Sequence, residues 1–178
     1  EACYGGPQVV PLTLASGDWL RASGFMRQRG ALYIAQAGDE GQVAAFEDSF
    51  AGTGVTIERV SRTRMEQLVP GLRSGWNHAI SEPDCADIDV GALHQHYLAA
   101  ARQAGVELLT GHRLTHAIRD GGGWLLGFEN GQELRAGVLV NAAGAWADEV
   151  AVIAGARPLG ITPYRRTTVG FDRLFDLL

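Results

Sequence analysis

The chain has no lysine; all 15 of its basic residues are arginine. That excludes a Schiff-base lysine and the lysine of a phosphate-binding P-loop. It leaves the planar arginine fork as the group for pairing with carboxylates. Positive charge is short overall. Fifteen arginines against 20 acidic residues give a net charge of −5 and a pI near 5.5, which is unsuited to a phosphate-backbone partner, so no nucleic acid is expected. Cysteine is scarce as well. Cys3 and Cys85 lie far apart and form no CxxC pattern, so a reduced, cytoplasmic protein is expected. No apolar run reaches the roughly 18 residues of a membrane-spanning helix, so no transmembrane segment is expected. Glu1-Ala2-Cys3-Tyr4-Gly5-Gly6 has neither the charged start nor the apolar stretch of a signal peptide. It has no initiator methionine either, and the chain reads as a piece of something longer. There is no GxSxG elbow, and the serines fall at turn or cap positions, so a serine hydrolase is not expected.

What is present is ample core material: 46% of 178 residues are hydrophobic, enough for one domain or parts of two. Residues 7–22 read as a helix, with Pro7 in its first turn and a loose apolar face of Val10, Leu14, Leu12 and Trp19. A strand is expected over Arg29–Ala35. An amphipathic helix is expected over Asp39–Gly52, with Val43, Phe46 and Phe50 on one face. Thr56–Arg59 reads as a short strand. Ser61 is placed to cap a helix that runs to Val69 and stops at Pro70-Gly71. Gly75–Glu82 reads as a strand and Pro83–Asp87 as a turn. Asp89 is placed as the N-cap of a helix over 90–104, whose face is Leu93, Tyr97, Leu98 and Ala101. Gly105 closes it, and Val106–Leu109 reads as a short strand completing the second half of a β-α-β unit.

Three strand candidates follow, at 113–119, 123–129 and 132–135. Asp120-Gly121-Gly122 and Asn130-Gly131 lie between them as hairpin turns, so a three-stranded meander is expected. Val138–Asn141 reads as a buried strand that ends at Ala142-Ala143-Gly144-Ala145 and restarts as a helix over 146–154, with Val150 and Ile153 inward. Four small residues at such a junction leave the backbone open to a large flat ligand, and open α/β sheets bind ligands at the carboxyl ends of their strands. Ile161–Phe171 reads as a further strand, and Arg165 and Arg166 on it point to opposite faces.

Several of these strings belong together. Gly105-Val106, the meander with its central Trp124, and Val138-Leu139-Val140-Asn141-Ala142-Ala143-Gly144-Ala145-Trp146-Ala147 resemble the FAD-dependent oxidoreductases of the D-amino-acid oxidase family. Glycine oxidases, sarcosine oxidases and D-amino-acid dehydrogenases belong to that family. Asp87-Ile88-Asp89 before a helix, and Pro158-Leu159-Gly160-Ile161-Thr162-Pro163-Tyr164-Arg165-Arg166, are similar to it too. The specific part of the resemblance covers residues 83–171; the first 80 residues match in general layout.

The resemblance implies an α/β fold: part of a Rossmann-like FAD-binding domain of the GR2 type, with a β-meander, plus part of an antiparallel α+β substrate domain. On that map residues 1–24 adjoin the FAD domain. Residues 25–82 and 155–178 are two parts of the substrate domain, and 83–154 is the central part of the FAD domain. The implied cofactor is FAD. The implied reaction is oxidation of a small amino acid (a D-amino acid, glycine or an N-methylglycine) at its C–N bond. Hydride passes from the α-carbon to flavin N5, the imino acid hydrolyses, and oxygen or a quinone-linked acceptor takes the electrons. A 2-hydroxy acid or glycerol phosphate is the alternative substrate class, and a non-catalytic remnant or interaction module the alternative of a different kind.

The implied cofactor contacts are Ala142, Ala143 and Gly144 at the junction, Trp146 lining the crevice, and Leu114, whose backbone N–H and C=O are offered to the adenine. Against these stand a tight turn without a ligand, an aromatic that packs helix onto sheet, and an ordinary strand position. Arg165 and Arg166 are candidates for a substrate carboxylate, with solvated arginines as the alternative. No catalytic acid or base is named, because the cofactor carries the redox chemistry. No metal is expected. His94 and His96 do not share a helix face, and His112 and His116 are roughly 13 Å apart on a strand. Asp84, Asp87 and Asp89 lack a calcium-loop pattern and read as turn and cap residues.

The sequence has no GxGxxG, the loop whose glycines admit a pyrophosphate at a helix N-terminus. The ribose-binding acid that accompanies it and the family's C-terminal glycine-rich segment are missing as well. The resemblance places Glu1 past the family's first flavin-contacting helix and Leu178 within a domain. A polypeptide of these 178 residues alone is therefore expected to bind FAD weakly or not at all; stoichiometric flavin absorbance on the purified polypeptide would contradict this.

Overall fold

The computed structural model describes residues 2–165. The chain forms two compact units, Glu1–Val106 and Glu107–Leu178. The first is built in the order α1 (Val10–Ala22), β1 (Met26–Gln28), β2 (Ala31–Gln36), α2 (Glu40–Phe50), β3 (Glu58–Val60), α3 (Arg62–Leu68), β4 (Trp76–Glu82), β5 (Ala86–Ile88) and α4 (Val90–Gln103). The second is built from β6 (Leu114–Asp120), β7 (Gly123–Phe128), β8 (Glu133–Ala136) and α5 (Ala147–Ile153).

In the first unit β4 is the middle strand of an antiparallel sheet ordered β2-β4-β3. Flanked on both sides, it buries Ala79 and Ile80. The helical face expected of α2 is the one that packs: Val43 and Phe50 are buried, and Phe46 bridges Tyr33 and Phe50 at ring separations of 5.1 and 5.0 Å. Cys3, Val10 and Phe50 form the centre of this core. Glu82, at the end of β4, is only 1% exposed, and a carboxylate is tolerated there because both oxygens are engaged. The Tyr33 hydroxyl donates to one at 2.7 Å and the Ala2 N–H to the other at 2.5 Å, tying the start of the chain to the sheet. Ser61 caps α3 by accepting from the Arg64 N–H, as its position in the sequence required.

Three expectations are corrected here. Residues 83–87 are not only a turn. Ala86–Ile88 is a strand, paired antiparallel with Met26–Gln28, for which no strand was expected. Each has three residues, too few for an alternation to be read; the two segments meet only through the long-range ladder, beside which Arg29 and Asp87 form a 2.8 Å ion pair. The buried face of α1 is Val10, Gly17 and Leu20, whereas Leu12, Leu14 and Trp19 are exposed. Tyr97 on α4 is exposed too and joins a ring cluster with Trp19, Phe25 and His96.

In the second unit the meander forms as expected, in the order β6-β7-β8 with both hairpin turns where the glycines put them. Helix α5 packs on β6, with Val150 and Ile153 half-buried. Val106–Leu109 and Val138–Asn141 are not strands: among the described residues no strand pairs with either, and Val138 and Val140 are each 77% exposed. Apolar alternation states a capacity for pairing, but a strand exists only where a neighbour supplies the ladder. Residues 161–165 likewise form no strand, and the rest of the stretch expected to reach Phe171 lies outside the described residues.

Helix α4 buries no residue fully, so its cap carries an unusual share of its stability. The Asp89 carboxylate accepts from the Ala92 N–H at 2.8 Å. Asp89→Ala is expected to cost about 1 kcal/mol in denaturant unfolding, and Asp89→Asn to retain most of it.

Candidate functional site

The second unit carries the residues singled out from the sequence. Leu114 opens β6 opposite Phe128, and the ladder shifts register between Leu114 and His116. The displaced Thr115 donates its hydroxyl to the Gly127 carbonyl at 3.0 Å. The absence of a side chain at Gly127 lets the His116 ring lie over it: a Cβ there would come within 1.9 Å of that ring, and the ring would have to turn away. Next to Leu114, His112 has its Nδ1 2.8 Å from the Thr110 carbonyl, its Nε2 on the Gln132 side chain, and its ring edge-on to Phe128 at 5.3 Å. The Thr110 carbonyl, then Gln132 and the charge of Glu107, raise its pKa above the ordinary histidine value. This clasp holds the segment leading into β6 against the β7–β8 turn.

The junction begins as irregular backbone, turns through a short 3-10 segment at Gly144–Trp146, and becomes α5. Gly144 sits at φ +56°, where an L-residue costs about 1–2 kcal/mol. Nothing lies within 4 Å of where its Cβ would be. Ala142 and Ala145 are exposed beside it. The corner thus offers bare backbone to an incoming group, which fits a large planar ligand sterically.

Beyond the corner, Trp146 and the Glu149, Val150 and Ile153 side of α5 face Arg113, Leu114 and Thr115 across a cavity of about 630 Å³, with Glu129 at its edge. The structure therefore brings Leu114 and Trp146 together. Trp146 is 65% exposed, so it is not a residue that seals the helix to the sheet. Ala142, Ala143 and Gly144 do not line the cavity; they form the corner that precedes Trp146 in the chain. Arg165 is exposed and outside the cavity lining, and Arg166 lies outside the described residues. Among the described residues no group of three or more His, Cys, Asp or Glu is placed to hold a metal ion, and no helix is long and apolar enough to cross a membrane.

Two polar residues at this corner were not singled out from the sequence. Asn141 hydrogen-bonds across it. Asp148 accepts from three consecutive N–H groups, Leu159, Gly160 and Ile161, each at 2.8 Å. The Leu159 N–H first, with those of Ile161 and Gly160, holds the Asp148 carboxyl below its ordinary pKa. The sequence holds no local signal for this contact, because the donors lie 11 to 13 residues downstream.

Comparison with known proteins gives the family and the fold. The sequence pattern of the family described as "DAO: FAD dependent oxidoreductase" matches residues 6–176. The hydrogen cyanide synthase subunit HcnC of Pseudomonas aeruginosa is 40% identical over 84 residues, which is 46% of this chain and 20% of that protein. Glycine oxidase from Geobacillus kaustophilus superposes with a TM-score of 0.70 at 21% identity, covering 83% of this chain and 43% of that one. L-alpha-glycerophosphate oxidase from Mycoplasma pneumoniae, with FAD bound, superposes with a TM-score of 0.68 at 18% identity, covering 79% and 40%. The fold is thus part of the FAD-binding fold of flavoprotein oxidases. The chain belongs to the FAD-dependent oxidoreductase (DAO) family, whose cofactor is FAD. It spans less than half the length of these relatives.

The depressed Asp148 pKa has a definite sign. A carboxyl lowered in the folded state stabilises above its unfolded pKa, and that contribution is lost as pH falls through the folded value. Protection of the Leu159, Gly160 and Ile161 amides, taken as exchange relative to the intrinsic rate at each pH, is therefore expected to fall on acidification below the ordinary carboxylate range. Asp148→Asn should lower the same protection at pH 7, and protection in that variant that matches wild type would exclude the anchor.

Proposed function

We propose that the intact protein oxidises a small amino acid at its C–N bond, with FAD held by Ala142, Ala143, Gly144, Trp146 and Leu114. The observation that carries this reading is the open corner at Gly144 preceding Trp146, which shares a cavity with Leu114. Bound FAD supplies the two-electron acceptor. The chain's own contribution is positional. The corner lets a planar group lie against backbone, Trp146 gives an apolar wall, and the His112 clasp fixes the approach to Leu114. Arg165 is exposed and its guanidinium is suited to a substrate carboxylate in forked geometry, with Arg166 assigned the same role from sequence. The reading includes a substrate domain formed by residues 25–82 and 155–178 around an FAD domain at 83–154, and oxygen or a quinone-linked acceptor as the second substrate.

Two experiments test it. Gly144→Val is expected to abolish flavin binding in the intact protein while far-UV circular dichroism stays near wild type; wild-type flavin content would remove the corner from the cofactor site. Anaerobic bleaching of the flavin by glycine, N-methylglycine or D-alanine is expected. Bleaching by 2-hydroxyglutarate or glycerol phosphate instead would replace the amino acid with an alcohol substrate, and no flavin at all would favour a non-catalytic module.

A further inference from the structure

The corner at 142–146 poses a mechanical problem. Its residues are two alanines, a glycine, an alanine and an exposed tryptophan, so side-chain packing does little to hold its shape. Within it the backbone contributes the Trp146 N–H to the Ala143 carbonyl at 3.1 Å. Asn141 provides what packing does not. Its Oδ1 accepts from the Ala143 N–H at 3.2 Å, and its Nδ2 donates to the Ala147 carbonyl at 2.8 Å. One planar amide thus spans the corner from the end of the irregular segment to the first residue of α5. The orientation of that amide is forced, because a backbone N–H only donates and a carbonyl only accepts.

We propose that Asn141 is a positioning residue for the cofactor site: it holds the bare backbone at Ala142–Gly144 in the one shape that admits the flavin. The inference rests on the reading that this corner meets FAD. The chemistry is specific to asparagine. Aspartate keeps the acceptor but turns an anionic oxygen toward the Ala147 carbonyl. Alanine loses both bonds. Serine retains an acceptor for the Ala143 N–H without the reach to Ala147.

The test compares Asn141→Asp, Asn141→Ala and Asn141→Ser in the intact protein, by FAD titration, by the visible absorption band of the bound flavin, and by amide exchange at Ala143 in the apoprotein. Asp and Ala variants are expected to bind FAD about tenfold more weakly, as loss of one or two hydrogen bonds that order the site implies. The bound-flavin band should shift, and Ala143 should exchange faster while β6–β8 amides stay protected. Serine should fall between alanine and wild type, and it decides the matter if aspartate prevents folding. Wild-type FAD affinity and an unshifted band in the alanine and serine variants would overturn the proposal. Gly144→Val separates the two readings. If it keeps flavin, the corner is not the cofactor site. If it loses flavin while the Asn141 variants do not, only the role of Asn141 fails.

Discussion

A stretch of backbone stripped of side chains cannot be held by packing; it must be held by hydrogen bonds to its own chain. That constraint governs the second unit. Asn141 spans the turn into α5 through the Ala143 N–H and the Ala147 carbonyl, and Asp148, in the first turn of α5, ties down the segment at residues 159–161 that follows the helix. The corner itself is bridged by the Asn141 amide and by the Trp146 N–H to the Ala143 carbonyl, with no large side chain over Gly144. Openness is what a site for a large planar cofactor requires, and an alanine- and glycine-lined turn delivers it at the cost of these polar anchors.

The first unit solves a different problem by ordinary means. An antiparallel sheet with β4 in the middle buries one cluster of aromatic and aliphatic residues against α2. The buried Glu82 is accommodated because Tyr33 and the Ala2 N–H occupy its oxygens. Elsewhere in the unit one guanidinium does similar service: Arg62 donates to the carbonyls of Leu72, Arg73 and Trp76 and so shapes the connection from α3 to β4. Buried or turning backbone is satisfied by side chains wherever ladders and helices do not reach it.

The legible parts of this chain share one property: their signals are local. The helix α2 announced itself by apolar spacing, α3 and α4 by their caps Ser61 and Asp89, and the meander by alternation broken at Asp120-Gly121-Gly122 and Asn130-Gly131. Leu114 and Trp146 were identified through likeness to a family, and their convergence on one cavity was beyond any local pattern, since 32 positions separate them. The β1–β5 ribbon was illegible because three residues in each strand are too few to establish a period. Val106–Leu109 and Val138–Asn141 failed in the opposite sense: their pattern is that of strands, but pairing is a property of two segments, and among the described residues none forms a ladder with them.

The sequence by itself determined the element types wherever a residue's own preference decides them: capping carboxylates and hydroxyls, glycines in turns, apolar residues at helical or alternating spacing. It also determined family membership, through a match that extends over residues 6–176. The tertiary structure alone decided which face of α1 is buried, that residues 26–28 pair with 86–88, and that Asp148 anchors residues 159–161. The reason is physical. Propensities act within a turn or two of chain, whereas burial and long-range hydrogen bonds exist only once distant segments have been brought together and the entropy of closing the loops between them has been overcome.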